Sequence, residues 1–284
     1  MWIFKRVADI QAFLQSRRQQ KQSIGFVPTM GALHRGHIRL IEICSAKTDV
    51  SVCSIFVNPT QFNDKKDLEK YPRTIEKDIH KLANAGCDVL FLPDTREIYP
   101  QPATTHYNLG YLEQLFEGSA RPGHFQGVCQ VVDMLFTIIQ PDETFFGQKD
   151  YQQCMVVKRL LDVNPAFQNI KLHIEATIRE ADGLAMSSRN SRLTPEQRQA
   201  APAIYKTLVF LKENIQPGNF KGLLGNAVQQ LTAAGFVPDY VALANAATLQ
   251  PVETWDGKTP LVALIAAFLG EVRLIDNLVI RMPN

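Results

Sequence analysis

With 284 residues and 45% apolar side chains, the chain is long enough for one large or two ordinary domains with a buried core. Thirty Lys+Arg against 28 Asp+Glu give a formal charge of +2, which excludes a general nucleic-acid or anionic-membrane binder and confines any basic character to a local patch. The five cysteines, Cys44, Cys53, Cys87, Cys129 and Cys154, form no C-x-x-C pair and fall largely in apolar patterns, so reduced thiols in a cytoplasmic compartment are expected, with no signal peptide and no membrane span.

Ile10, Phe13 and Leu14 predict a short helix over 9–18. Ser23 to Val27 has strand character that breaks at Pro28 and Gly31, and a helical pattern begins near Gly36 with Ile38, Ile41 and Cys44 on one face. Val50 to Val57 is almost continuously apolar, as in a parallel strand covered on both sides. The charge run from Asp64 to Lys70 reads as a solvated loop. A helix over 74–85 should turn Ile75, Ile79, Leu82 and Ala83 inward and stop at Gly86, before a strand from Val89 to Leu92. This alternation predicts an α/β fold, a Rossmann-like doubly wound parallel sheet with its ligand crevice beyond the carboxyl ends of the strands. Phe125 to Ile139 is the strongest helix, followed by a strand from Glu143 to Gly147, a helix from Tyr151 to Leu161 and a strand from Ile170 to Ala176. Beyond the 179–192 loop, Thr194-Pro195 caps and opens a helix expected to run for about 20 residues. A helix from Leu223 to Ala234 and three strand-like runs then suggest a second, smaller α+β domain. The boundary falls near 176–185, giving domains 1–178 and 179–284.

Candidate chemistry gathers at the expected carboxyl edge. The strand, turn and helix start of Val27 to His37 would aim backbone N–H groups and the positive end of a helix dipole into one volume, which favours phosphate. Met30, Gly31, Ala32, Leu33, His34, Arg35, Gly36 and His37 are therefore candidate phosphate contacts, with Gly31 and Gly36 allowing close backbone approach. His34 and His37, three residues apart, can reach the same group. No metal site is expected, because His80, His106, His124 and His173 show no close ligand pairing with this turn. Asn58 and Gln61 follow the next strand, as amides for hydroxyl or carboxylate groups or as ordinary turn residues. Gly147-Gln148-Lys149-Asp150 brings a lysine to another strand end, either to neutralise phosphate or to lie in solvent. Met186-Ser187-Ser188-Arg189 can close over phosphates or serve as an exposed hinge. Arg121-Pro122-Gly123-His124 is a turn with two possible cations.

His34-Arg35-Gly36-His37 together with Met186-Ser187-Ser188-Arg189 resembles the paired signature of the nucleotidyltransferases related to class I aminoacyl-tRNA synthetases. More narrowly, the chain resembles the pantothenate synthetase (pantoate–beta-alanine ligase) family from end to end. The matching stretches are Val27 to His37, Ile55 to Phe62, Tyr71 to Thr74, Ser119 to Phe125, Phe146 to Asp150, Arg179 to Asn190 and Arg273 to Asn277. The resemblance implies ATP-dependent condensation of (R)-pantoate with beta-alanine through a pantoyl adenylate, with Mg2+ accompanying the ATP. It implies catalytic roles for His34, His37, Lys149, Ser187, Ser188 and Arg189. ATP contacts would run through Met30 to His37, Gly147, Gln148, Lys149, Asp150, Ile178, Met186, Ser187, Ser188 and Arg189. Gln61 and Gln153 match the positions that hold pantoate, with Asn58 beside them, and Gln61 also lies where beta-alanine arrives. The family has Glu where this chain has Gln148, a departure that removes one negative charge beside the site. The partners implied are small molecules and a second copy in a homodimer, with no nucleic acid and no membrane. A nucleotidyltransferase acting on another small acid, or a non-catalytic nucleotide-binding module, is the competing reading.

Overall fold

The strand Val50–Ile55 is buried at every position, and such a segment is stable only in the interior of a sheet covered on both faces. Its sheet belongs to the first of two compact units, which comprise 1–148 with 152–176, and 149–151 with 177–284. The computed structural model describes residues 1–63, 65–101 and 104–280. In chain order the first unit carries β1 (Trp2–Phe4), α1 (Val7–Gln19), β2 (Ile24–Thr29), α2 (Arg35–Lys47), β3 (Val50–Ile55), α3 (Lys65–Glu69) and α4 (Ile75–Asn84). These are followed by β4 (Val89–Phe91), α5 (Thr95–Ile98), α6 (Phe116–Ala120), α7 (His124–Ile139), β5 (Glu143–Gly147), α8 (Tyr151–Val163) and β6 (Lys171–Glu175).

Its six strands form one sheet in the order β1-β4-β3-β2-β5-β6, and every neighbouring pair is parallel. From β2 the chain moves outward through β3 to β4 and then returns to place β5 on the other side of β2. That reversal is the topological switch point, where ligands bind beyond the carboxyl ends. The strands bury alternate residues on opposite faces. Val27, Cys53, Leu90 and Phe145 form one apolar layer with Leu40, Ile41 and Cys44 of α2 and Leu82 of α4. Phe26 turns the other way and meets Phe136 of α7 edge-on, with ring centroids 6.3 Å apart. Helices thus cover both faces, as the alternating pattern requires.

Several local expectations are corrected. β2 does not break at Pro28 but continues to Thr29. Ser23 and Thr29 accept from β3 and its extension, whereas the Ile24 carbonyl accepts from Asp142 at the start of β5, so even-numbered residues of β2 face β5. Pairing with β5 ends at Phe26. The N–H that Pro28 lacks therefore faces a place where no ladder bond is made. In α4, Ile75 is 42% exposed and Ala83 is also exposed, while Leu82 and, unexpectedly, Asp78 are completely buried. Part of the charge run folds into the short helix α3 rather than a loop. Asp64 lies outside the described residues.

In the second unit come α9 (Pro195–Ala200), α10 (Ala203–Asn214), β7 (Gly218–Asn219), α11 (Lys221–Ala233), β8 (Val237–Asn245), β9 (Thr254–Trp255), β10 (Leu261–Leu269) and β11 (Val272–Val279). β11, β10 and β8 form an antiparallel sheet in that order, and β7 pairs with β9 in a separate ribbon. Alternate residues of β10, namely Leu261, Ala263, Ile265, Ala267 and Leu269, share a core with Leu208 and Leu211 of α10 and Leu231 of α11. The single helix of about 20 residues expected after Thr194 is instead α9 and α10, interrupted at Ala201-Pro202. Pro202 has no N–H to give to the preceding turn, which ends the ladder there. Among the described residues no helix is long and apolar enough to cross a membrane.

Candidate active site

The turn between β2 and α2 is built by two residues in the left-handed region, Gly31 at φ +82° and Ala32 at φ +50°. A side chain at Gly31 would meet Ile55 Cγ2 at 3.0 Å, so the chain needs glycine there on both counts. Ala32 costs about 1–2 kcal/mol in this conformation, and a buried carboxylate offsets it. Asp78 Oδ2 accepts the Ala32 N–H and Oδ1 accepts the Leu33 N–H, each at 2.8 Å, while Thr74 Oγ1 donates to Oδ2 at 3.1 Å. Lys81 Nζ donates to the Leu33 carbonyl. The Gly31 N–H donates to Thr29 Oγ1. The main-chain donors expected to cradle phosphate at Gly31, Ala32 and Leu33 are thus turned into the protein.

What the turn presents is its pair of imidazoles. His34 caps α2: its Nδ1 accepts the Gly36 N–H at 3.2 Å, and its own N–H is donated to His37 Nδ1 at 3.3 Å. This reciprocal capping box satisfies donors at the helix start and brings the two rings together, tilted by 33° with centroids 4.0 Å apart. Because both Nδ1 atoms accept, the neutral rings carry their protons on Nε2. Two N–H donors side by side, at the carboxyl end of a central strand and the positive end of a helix, suit negative charge growing on a phosphate. Arg35 forks onto Glu42, about two turns along α2.

Beyond β3, Asn58 and Gln61 bracket a 3₁₀ turn, Pro59–Gln61. Asn58 is 1% exposed and its amide is occupied throughout. Its Nδ2 donates to Gln61 Oε1 at 3.3 Å and to the Gly127 carbonyl at 3.1 Å, and its Oδ1 accepts from Thr60 and from Tyr99 Oη. Asn58 therefore holds Gln61 in orientation. Gln61 Nε2 reaches Met30 Sδ at 2.9 Å, which ties this turn to the His34–His37 turn. The Gln61 carbonyl is held by Arg121 Nη2 at 3.3 Å and by His124 Nδ1 at 2.8 Å, and Arg121 Nη1 donates to His124 Nε2 at 3.1 Å. That chain places the His124 proton on Nδ1. The first turn of α7 lies so close that a Cβ on Gly127 would sit 2.5 Å from the Thr60 carbonyl oxygen. Gln153 is half-buried near the start of α8. Its neighbour Gln152 is consumed structurally by Leu112, Leu115 and Glu117.

Lys149, Asp150, Ile178 and Met186 to Arg189 fall in the second unit. Met186 N–H returns to the Ile178 carbonyl at 3.0 Å and Arg179 bridges to Ala185, so this segment is a tight hairpin. Gly183 at φ +93° turns it, and a Cβ there would strike Tyr205 at 2.3 Å. Ser187 caps a 3₁₀ turn over Ser188–Arg192, its Oγ accepting the Arg189 N–H at 3.3 Å. Arg179 forks onto Asp276 at 2.6 and 3.0 Å and stacks on Tyr205 at 3.9 Å. Burial pushes the Asp276 carboxyl up, and the Arg179 guanidinium opposes that rise. Asn277 Nδ2 donates to the Lys149 carbonyl at 2.8 Å, and Lys149 Nζ lies 3.2 Å from Asp150 Oδ1. Gln148 and Gly147 are half-buried at the end of β5.

Asp78 was not found by sequence reasoning, Asn277 was singled out only within the Arg273 to Asn277 stretch, and His124 only as a possible cation of its turn. Each is polar where a core contact is expected or sits far along the chain from the group it holds. The one available signal was a carboxylate on the inward face of α4. Among the described residues no group of three or more His, Cys, Asp or Glu side chains is placed to hold a metal ion.

Comparison with known proteins adds to this geometry. The family model described as pantoate-beta-alanine ligase matches residues 2–279. Pantothenate synthetase of Pseudomonas fluorescens (strain Pf0-1) is 47% identical over 279 residues, covering 96% of each chain. The crystal structure of pantothenate synthetase from Thermus thermophilus superposes with a TM-score of 0.87 at 39% identity, covering 99% of each chain. The pantoate-beta-alanine ligase of Francisella tularensis, solved in complex with beta-gamma ATP and beta-alanine, gives a TM-score of 0.84 at 36% identity, covering 100% of this chain and 99% of that one.

Proposed function

The chain belongs to the pantoate–beta-alanine ligase family and is an ATP-dependent ligase that joins pantoate to beta-alanine; we propose that it does so through a pantoyl adenylate formed beside the His34–His37 pair. A pantoate carboxylate oxygen bonds to the α-phosphorus of ATP while the bond from that phosphorus to the pyrophosphate oxygen breaks. The beta-alanine amine then bonds to the acyl carbon, the bond from that carbon to the AMP oxygen breaks, and the amine gives up a proton. Positioning and charge stabilisation carry such a reaction, without a protein nucleophile. The observation that supports it most is the pair of rings 4.0 Å apart at the start of α2, each with its Nδ1 tied to a backbone N–H.

Met30 to His37 serve the nucleotide mainly through those two imidazoles. Gln61 and Gln153 receive the pantoate hydroxyl and carboxylate groups, Gln61 also meets beta-alanine, and Asn58 orients Gln61. The nucleotide- and pantoate-binding part is residues 1–178, of which 149–151 and 177–178 belong to the second compact unit, and 179–284 carry the Met186 to Arg189 loop at their start. Gly147 to Asp150 and Ile178 contact the nucleotide. Lys149, Ser187, Ser188 and Arg189 supply donors to the phosphates, Lys149 as a point charge and Arg189 as a fork. Magnesium enters as part of the ATP substrate, held mostly by phosphates and water. Buried, unbridged cysteines suit a reducing cytoplasm, and family membership is the ground for a homodimer.

Labelled pyrophosphate should enter ATP only when pantoate is present, and AMP should be released on adding beta-alanine. Exchange driven by a different acid would replace this reading with another nucleotidyltransferase. ATP binding with no exchange under any acid would leave a binding module.

A further inference from the structure

α4 turns a polar stripe toward the His34–His37 turn. Thr74, Asp78 and Lys81, spaced i, i+4 and i+7, all act there. Asp78 takes the N–H groups of Ala32 and Leu33, Thr74 steadies the carboxylate, and Lys81 takes the Leu33 carbonyl. Helical spacing puts these three on one face, and a fully buried carboxylate is retained there although Leu82 beside it belongs to the apolar layer.

We infer that Asp78 is a positioning residue for the two imidazoles, assisted by Lys81, a role that rests on the adenylating function given above. Ala32 and Leu33 immediately precede His34, whose N–H and Nδ1 make both bonds that lock the rings. Clamping 32 and 33 from both the donor and the acceptor side leaves the helix cap one position. That fixes which ring nitrogens accept, and with them the tautomer of each ring. A carboxylate is suited to this task because each of its oxygens accepts one N–H of the pair. Asp78 touches no substrate in this scheme and acts only through the turn.

Asp78→Asn tests the inference, since it keeps the shape but sets an NH2 group against one of the two N–H donors. In the unaltered protein, ring 15N shifts of His34 and His37 should report the Nε2–H tautomer. In Asp78→Asn they should report a mixture, and pantoate-dependent pyrophosphate exchange should slow by about 10²-fold, the scale of a small misplacement of reacting groups. Pantoate affinity should stay unchanged, and so should the rate of the second half-reaction from preformed pantoyl adenylate. Lys81→Met, at an exposed side chain, should move both readouts in the same direction by less, and it decides the matter by the same criteria if Asp78→Asn does not fold. Unchanged tautomers, or equal slowing of both half-reactions, would overturn the role. An unaltered protein with the expected ring shifts but no exchange would refute the adenylating function while leaving the clamp in place.

Discussion

At the scale of single residues, the site depends on side chains whose apparent chemistry is redirected by a neighbour. Asn58 looks like a ligand-binding amide, yet all its bonds are spent inside the protein and the amide it aims is Gln61. His37→Ala should lower the rate of pyrophosphate exchange by about 10²–10³, as expected when one donor to developing charge is lost, with pantoate affinity retained. Gln61→Ala should do the reverse. It should weaken pantoate by about 1–3 kcal/mol, the cost of an unpartnered buried polar group, and leave ATP binding intact. Calorimetric titration of each variant with ATP and with pantoate, beside the exchange rate, separates the two. A His37→Ala variant that exchanges normally, or a Gln61→Ala variant that loses ATP instead, would reassign the crevice.

At the scale of elements, the recurring device is a close approach that only a small or special residue permits. Gly127 admits the 3₁₀ turn of Gln61 to α7, and Gly183 admits Tyr205 to the hairpin that leads into Met186. The hairpin is anchored at its base by the Arg179–Asp276 fork. Past that anchor, Ser188–Arg192 form only a 3₁₀ turn capped by Ser187, with side chains that are half-buried or, at Ser191, exposed. Short turns with few buried contacts lie at the low end of local stability. Amides of Met186 to Arg189 should therefore exchange readily in the free protein and gain protection when ATP is bound, whereas those of β10 should be slow in both states. Equal protection of the loop with and without ATP, read by hydrogen exchange and mass spectrometry, would make it a fixed connector.

At the scale of the whole molecule, burial governs the thiols. All five cysteines are buried and unbridged. Loss of hydration pushes Cys44, Cys87 and Cys129 up to about 12, and Cys53 well above its ordinary value. In the unfolded chain these thiols return to about 8.5. Because the folded values are raised, the associated stability is complete below about pH 8.5 and is lost progressively as pH rises toward 12. A thiol reagent at pH 8 should leave the native protein unmodified and titrate five groups after denaturation. Rapid modification of Cys44 or Cys129 in the folded protein would contradict this. Denaturant midpoints should likewise fall between pH 9 and 11 with no change in the transition's slope.

Periodicity and local punctuation specified the longer elements and their order, because hydrophobic spacing, Gly86 as a stop and Thr194-Pro195 as a start act within a few residues of themselves, whereas the short β1, α3, α5 and α6 and the break at Ala201-Pro202 were not read from them. The alternation of strands and helices likewise implied the parallel sheet and the crevice at its carboxyl edge. His34, His37 and Gln61 stood out because each directly follows a strand or opens a helix. Which way their polar groups point was decided only by tertiary contacts. Asp78 lies 45 residues from Leu33, and it turns the expected phosphate-binding N–H groups of Ala32 and Leu33 inward. Pro28 is tolerated within β2 only because β5 has already parted from that strand. Asn277 reaches Lys149 across 128 residues. A hydrogen bond between distant segments leaves no periodic trace in a sequence, so the fold was legible there, while the aim of the site's donors came from the folded structure.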